Sequence, residues 1–499
     1  MKHSKPNILF LQSDQHTQKI TGCYGDDVVQ TPHLDGLAAR GVCFENAYCP
    51  SPICTPSRMS LLTGRFPSTQ ACWTNSDMLA SDIPTYLHGL GAAGYKPALV
   101  GRLHSIGPDQ LHGYVQRVVG DHSSNWVGAT THDMGLLSGT SGPFRVSLQQ
   151  SGPGQSAYEL HDVDVADAAC DWLQAYAKSR VSGQQKPFAL GVGFMLPHQP
   201  YVARREDYAQ YVARVGMPTI PEPPVEECHP YLQHWRTITG TDNVPAEEVL
   251  RARTAYYALT TRLDTLIGKV LQALESTGLS ENTLIVYTSD HGDQLGERGL
   301  WWKQTFFDES AKVPFILSWP GVLPQGERRK QVVNLVDLPP TLMEAAQGPT
   351  LPSIDGTSLL AVARDACAPW VNVTYSEYCT DGAARWDNGN AVVQRMVRSD
   401  DWKLIYYHGY RPQLFNLARD PQEISDLAQL PEYQSICARL MGLVFASWNP
   451  EQIAALLRQR GEEKALLKEW WRATNPPEAH RWALKVEDNW LDDPQDAIV

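Results

Sequence analysis

Cys54 stands two residues before Pro56 and four before Arg58, in Ser51-Pro52-Ile53-Cys54-Thr55-Pro56-Ser57-Arg58, a run that reads as helix up to Gly64. A thiol beside a guanidinium at a helix start sits in an electropositive setting and is reactive. A cysteine packed near a turn is the other reading, and this run alone leaves both open. Two further clusters carry chemistry. Asp14 follows the apolar run Asn7–Gln12, and Asp290-His291-Gly292-Asp293 follows Thr283–Thr288. One aspartate at a strand end is usually a helix cap. Carboxylates from two strand ends together with an imidazole suit a divalent cation, the oxygens serving a hard ion and histidine adding a nitrogen.

These residues need a scaffold that brings distant strand ends together. Short apolar runs at Asn7–Gln12, Pro97–Gly101, Phe188–Met195, Thr283–Thr288 and Val313–Trp319 alternate with helical patterns, which predicts an α/β fold with a largely parallel sheet. Leu250, Tyr257, Leu263, Leu266, Ile267, Val270 and Leu274 recur at helical spacing and predict a helix from about Glu247 to Glu275. A second is expected over Val163–Ala177. Residues 107–153 and 216–244 lack periodicity and read as long loops over a sheet edge.

After Pro369 the character changes. Val371–Ser376, Ala391–Arg398 and Trp402–His408 read as a small antiparallel sheet, so the expected division is 1–369 and 370–499. A helical tail follows, with Ile453, Leu457, Leu467 and Trp470 on its apolar face. A last aromatic segment, Arg481–Asp493, carries Trp482 and Trp490. Such a tail packs back on its own body or covers a neighbouring subunit, which makes a homo-oligomer one expectation.

At 499 residues the chain exceeds what one simple core supports. Its net charge of −13 argues against general affinity for nucleic acid or an anionic membrane surface, while leaving room for a local cationic pocket. No stretch approaches the ~20 apolar residues of a membrane span. Ile8–Leu11 is too short for a signal-peptide core, so a cytoplasmic protein is expected. The 10 cysteines are scattered without a repeated spacing, which favours free thiols.

In order along the chain stand Asp14, Cys54-Thr55-Pro56-Ser57-Arg58, Gly101-Arg102-Leu103-His104, Pro197-His198, Asp290-His291 and Lys303. That ordered set resembles the type I, formylglycine-dependent sulfatases of the alkaline phosphatase superfamily. The resemblance spans residues 7 to 320, and the turn-like Leu414–Pro421 is similar to the family's C-terminal element. It implies an α/β fold with a large mixed, mostly parallel sheet flanked by helices, then a smaller antiparallel-sheet subdomain and helical tail. The implied activity is hydrolysis of a sulfate monoester to an alcohol and inorganic sulfate. Cys54 would be oxidised to formylglycine by a formylglycine-generating or other sulfatase-modifying enzyme, and the hydrated aldehyde would be the nucleophile.

The same resemblance implies a role for each position. Asp14, Asp290, His291 and the modified Cys54 would surround a divalent ion, Ca²⁺ first, with Mn²⁺ and Mg²⁺ open. Arg58 would hold the hydrate and the sulfate. Arg102 and Lys303 would face the non-bridging oxygens. His198 would be the acid for the leaving alcohol, and His104 the base that regenerates the aldehyde. Asn75, 21 residues after Cys54, matches a polar position near the sulfate.

Two departures from the commoner pattern stand out, one at the metal site and one at Arg102. Ser13-Asp14 replaces a paired aspartate and His291 replaces asparagine, as in choline sulfatases and phosphonate monoester hydrolases. Arg102 replaces lysine, which keeps charge but changes hydrogen-bond geometry. The segment Gly101–Tyr114 and Ser376-Glu377-Tyr378 also look similar to choline sulfatases. A quaternary ammonium would need aromatic and acidic walls, for which Trp126, Tyr378 and Glu377 are the candidates. Aryl and carbohydrate sulfates stay open, and the alternative enzyme is a phosphonate monoester hydrolase or phosphodiesterase on the same scaffold. A noncatalytic relative that keeps the Cys54 thiol is the reading from another class.

Overall fold

A computed structural model describes residues 5–130, 132–179, 186–380 and 391–492. Met1–Ser4 and Asp493, two ends of segments discussed above, lie outside the described residues. The centre is an eight-stranded sheet in the order Glu327–Asn334, Val42–Tyr48, Phe315–Ser318, Thr283–Ser289, Asn7–Asp14, Ala189–Pro197, Pro97–Gly101, Gln116–Arg117. Neighbours run parallel except Phe315–Ser318, which is antiparallel to both of its partners. The central strands are apolar throughout because helices cover both sheet faces, as in Ile8-Leu9-Phe10-Leu11.

Three strands of this sheet escape the pattern reading, the two-residue Gln116–Arg117 and two longer ones. Glu327–Asn334 opens Glu-Arg-Arg-Lys because it lies at the sheet edge, where its first residues meet solvent. Val42–Tyr48 is interrupted by the half-buried Glu45-Asn46. The long helix spans Ala246–Ser276, with Glu247 and Glu248 favourably placed at the positive end of its dipole. It packs against a helix that begins at Ala157, six residues earlier than periodicity suggests, where Ser156 accepts a hydrogen bond from the Glu159 amide.

The small antiparallel sheet consists of Val373–Cys379, Val393–Ser399, Trp402–Tyr407 and Gln413–Asn416. The last of these corrects the turn reading of Leu414–Asn416: Leu404 and Leu414 pair directly across the two strands. Side chains alternate between two cores. Met396, Ile405 and Phe415 face the main core, whereas Val397, Leu404 and Leu414 face the helices Gln434–Phe445 and Pro450–Thr474. Fully buried Lys403 bonds Asp308 at 2.6 Å and Glu423 at 2.7 Å, locking this sheet to the body.

The tail packs back on its own chain. Trp470 meets Trp126 edge-on at 5.3 Å, Trp482 meets His161 at 5.4 Å, and Trp490–Leu491 pairs with Gly152–Gln155. All ten cysteines are free thiols. Among the described residues no helix is long and apolar enough to cross a membrane.

Candidate active site

Strand register assembles the site. Ser13 pairs with Ser289, so Asp14 and Asp290 leave adjacent strands side by side. Asp14 is opposite Pro197, which places His198 next to it, and Gly101 is opposite Gly193, which places Arg102 one strand further along. A Cβ on Gly101 would stand 2.3 Å from the Gly193 carbonyl oxygen, so only glycine lets the two strand ends meet there. Side chains as far apart in sequence as Asp14 and Asp290 thus share one carboxyl edge, where open α/β sheets collect ligands.

Cys54 is the first residue of a helix, Cys54–Thr63, every residue of which is buried, and which Gly64 ends in the left-handed conformation (φ 70°). Pro56 is tolerated because it lies in the first turn. The Thr55 amide donates to Asn75 Oδ1 at 2.9 Å, so exposed Asn75 caps this helix start from outside. Ser57 Oγ donates to the Asp290 carbonyl oxygen at 2.6 Å, which fixes the helix against the metal-type strand end.

Charge around Cys54 is arranged in two buried guanidinium forks. Arg58 donates through Nε to Asp290 Oδ2 at 2.8 Å and through Nη2 to Asp14 Oδ2 at 3.1 Å. Arg102 donates through Nε to Asp14 Oδ2 at 2.6 Å, through Nη1 to Asp121 at 3.3 Å, and through Nη2 to His104 Nδ1 at 2.9 Å. Lys303 Nζ lies 3.0 Å from both Cys54 Sγ and His198 Nε2. Burial pushes the Asp14 carboxyl up, but Arg102, His198, Arg58 and Lys303 together outweigh it and hold the group well below the usual carboxylate range.

The donor set suits a divalent cation. One ligand atom from each of Asp14, Cys54, Asp290 and His291 lies within 4.8 Å of all the others. Burial lowers the His291 pKa to about 4, and its Nδ1 lies 3.1 Å from the Gly292 carbonyl oxygen. The ring is therefore neutral, with the Nε2 lone pair facing Cys54 Sγ at 3.3 Å. A lone pair between two carboxylates is an arrangement a cation stabilises. The backbone is tight here as well: Gly292 donates its amide to the Ser310 carbonyl, and a Cβ there would stand 2.0 Å from the Glu309 oxygen.

Two imidazoles flank the cluster. Burial, reinforced by Lys303, lowers the His198 pKa, and burial with Arg102 holds His104 well below the usual histidine value. Beside them opens a largely apolar cavity of about 370 Å³ that includes Ile106, His122, Trp126, Phe144 and Tyr158. It adjoins the site, because Ser123 in its wall accepts from Arg102 at 3.4 Å and the Tyr158 ring is 6.1 Å from that of His198.

Of the expected substrate contacts, Trp126 lines this cavity, with its indole nitrogen donating to the Pro477 carbonyl at 3.1 Å. Glu377 is placed elsewhere. Its carboxylate accepts from the amide and hydroxyl of Ser68 at 2.9 and 2.7 Å and lies 3.6 Å from Arg395. That corrects its expected role, since a buried carboxylate needs such partners and has none to spare for a ligand. Tyr378 is likewise buried in the small sheet.

Sequence reasoning missed the residues that orient the others. Asp121 lies in a stretch read as loop, yet it accepts from Arg102 and from the Leu103 and His104 amides. Gln15 donates to Gln199 at 2.5 Å and to Asp293 at 2.6 Å, tying three strand ends together. Only the position of Gln15, next to Asp14, could have flagged it.

Comparison with known proteins agrees with this geometry. The family model described as Sulfatase matches residues 6–348, and that described as N-sulphoglucosamine sulphohydrolase, C-terminal, matches residues 296–446. Choline-sulfatase of Rhizobium meliloti (strain 1021) is 34% identical over 484 residues, covering 92% of this chain and 90% of that protein. Arylsulfatase K of Bos taurus is 28% identical over 526 residues, covering 98% and 90%. A solved structure of the phosphonate monoester hydrolase of Agrobacterium radiobacter superposes with a TM-score of 0.73 at 21% identity, over 88% of this chain and 95% of that one. That last likeness concerns the fold, which is alkaline-phosphatase-like. With a family model over more than half its length and a relative more than 30% identical along nearly all of it, the chain belongs to the sulfatase family and is a sulfuric ester hydrolase.

Proposed function

We propose that this sulfatase works through a formylglycine made from Cys54 and takes the sulfate ester of a small alcohol. The observation that carries the reading is the convergence on one buried sulfur of Lys303 at 3.0 Å, His291 at 3.3 Å and Asp14 at 3.7 Å. An ordinary structural thiol needs none of these neighbours. The aldehyde hydrate would supply the nucleophile, and a divalent ion held by Asp14, Asp290, His291 and residue 54 would draw charge off the sulfate oxygens. Ca²⁺ is the first candidate, then Mn²⁺ and Mg²⁺. A formylglycine-generating or related modifying enzyme is the partner this chemistry requires.

The protein's own groups divide the remaining work. Arg58 stays charged and holds residue 54 and the sulfate in one orientation. Arg102 and Lys303 bring preorganised positive charge to the non-bridging oxygens. The proton for the leaving alcohol is held between His198 Nε2 and Lys303 Nζ, which lie 3.0 Å apart. His104, its Nδ1 engaged by Arg102, is the base that frees the nucleophile for the next turnover.

The alcohol would occupy the cavity beside His198. Its aromatic members Trp126, Phe144 and Tyr158 favour a quaternary ammonium or an aromatic ring, and the choline-sulfatase relative supports testing choline first. A homo-oligomer would cover Leu466, Leu467 and Trp470, which the tail helix leaves exposed, and light scattering tests that association.

The deciding experiment assays choline O-sulfate, 4-nitrophenyl sulfate and a phosphodiester in parallel, with peptide mass spectrometry across Cys54. Sulfate release together with a Cys54 peptide lighter than the thiol form is the expected result. Faster turnover of the diester, or an active enzyme carrying only the thiol, would overturn the reading.

A further inference from the structure

His161 and Asp162 lie near the start of the helix Ala157–Lys178, fully buried, and the chemistry above uses neither. Asp162 Oδ2 accepts from the Met195 amide at 2.9 Å and from the Leu196 amide at 2.8 Å. Those amides belong to an irregularity in the strand Ala189–Pro197. Gln12 is opposite Gly193 but Asp14 is opposite Pro197, so two steps on one strand face four on the other. The neighbouring strand Pro97–Gly101 pairs only as far as Gly193. Asp162 supplies the acceptors that the ladder no longer offers, and the bulge it holds carries His198 forward over Asp14. Bulges beside active sites commonly re-aim a side chain in this way.

His161 reaches the other side of the site. Its Nδ1 lies 3.0 Å from Asp162 Oδ1 and its Nε2 lies 3.0 Å from the Gly120 carbonyl oxygen. Gly120 leads into Asp121, whose carboxylate gathers Arg102 and the amides of Leu103 and His104. One dipeptide therefore touches the loop of the acid and, one residue removed, the loop of the sulfate-binding arginine.

We propose that His161 and Asp162 are positioning residues that set the distance between His198 and the Arg102–His104 pair, so that both address opposite ends of one ester. This rests on the sulfatase roles proposed above. A carboxylate that only filled a buried gap would affect stability and all substrates alike. A brace predicts a split, because the Asp162 arm acts through the proton donor and the His161 arm through the sulfate site.

The test compares Asp162→Asn and His161→Ala on an alkyl sulfate, which leaves poorly, and on 4-nitrophenyl sulfate, which leaves well. Asp162→Asn is expected to lower kcat on the alkyl ester at least about tenfold more than on the aryl ester, with KM little changed. His161→Ala is expected to lower kcat/KM on both by the same factor. Equal losses on both esters for Asp162→Asn, or a leaving-group split for His161→Ala, would overturn the proposal. Asp162→Ser, which keeps an acceptor, replaces Asp162→Asn if that variant does not fold. Failure of both to fold would assign the residue to the fold alone. A wild-type enzyme inactive on both esters would instead count against the sulfatase roles.

Discussion

Arg102 Nε donates to Asp14 Oδ2 at 2.6 Å, and Arg58 Nη2 donates to the same oxygen at 3.1 Å. The other oxygen, Oδ1, is left 3.7 Å from Cys54 Sγ and 3.8 Å from His291 Nε2. One carboxylate is thus divided: one oxygen anchors the two arginines proposed to hold the sulfate, and the other faces the proposed ion. Asp290 is divided less sharply: Oδ2 takes Arg58, while Oδ1, 3.6 Å from His291 Nε2, also accepts the amides of Gln15 and His291 at 3.0 Å.

Arg102→Lys restores the residue commoner in the family and keeps the charge. Lysine cannot reach Asp14, Asp121 and His104 from one planar group. The expected loss in kcat/KM on an aryl sulfate is about 10–100-fold, the worth of one or two charged hydrogen bonds. An unchanged kcat/KM would show that the fork is dispensable.

Asp14→Asn leaves two buried guanidinium groups sharing a neutral amide. Breaking such a pair costs about 3–5 kcal/mol. Urea unfolding in the presence of metal chelator isolates this loss from any loss of ion binding. A change under 1 kcal/mol would mean that Asp121 and Asp290 suffice to hold the arginines.

His198→Ala should depend on the leaving group. An alkyl alcohol needs its proton, so kcat on alkyl sulfates should fall about 10²–10⁴-fold. On 4-nitrophenyl sulfate the fall should be far smaller. Parallel steady-state kinetics would reveal equal losses, which would remove His198 from the acid role.

Chelation should abolish turnover reversibly. Asp14, Asp290 and His291 surround the buried sulfur, and without a cation their lone pairs repel. Adding back Ca²⁺, Mn²⁺ or Mg²⁺ separately ranks the ions by recovered rate. The preferred ion should also raise Tm, with a stabilisation that grows with the logarithm of its concentration above Kd. Full activity after exhaustive chelation would exclude the ion from the chemistry.

His229 gives a pH signature away from the site. Burial lowers its pKa to about 4, while its Nδ1 accepts from the Tyr231 amide at 3.3 Å and its Nε2 lies 2.8 Å from the Arg411 carbonyl oxygen. The unfolded chain takes up this proton near pH 6.5 and the folded chain only near pH 4, so the unfolded state binds more protons between them. Stability from this group is therefore complete above pH 6.5 and declines as pH falls towards 4, by up to about 3 kcal/mol. His229→Asn keeps a helix cap but not the titration. The stability difference between wild type and variant should shift in the variant's favour across that window. A difference independent of pH would contradict the assignment.

The chemistry-bearing residues were legible because each carries its signal locally. Cys54 precedes Pro56 and Arg58, and Asp14 and Asp290 end apolar runs. The orienting residues were not, because their partners are remote in sequence. Asp121 acts through contacts 17 to 19 residues back, and Gln15 through contacts at Gln199 and Asp293. Glu377 misled for the converse reason: a polar residue near a familiar motif is spoken for by Ser68, from a helix over three hundred residues away. In the fold, the apolar central strands were readable, whereas charged Glu327–Asn334 was hidden by its edge position.

The burial of Cys54 also has a consequence in time. Cys54 is 1% exposed, and His291, which lies 3.3 Å from its sulfur just beyond the strand Thr283–Ser289, is made long after it. The segment around His480 and Trp482, which brackets the Asp121 backbone, comes later still. A ribosome adding 5–20 residues per second needs roughly 20–90 s to travel from Cys54 to that segment. Any enzyme that oxidises the thiol has at most that interval in which to find it. Output of active protein would then be governed by a race between translation and oxidation, and slowing synthesis should raise the active fraction without altering a single residue.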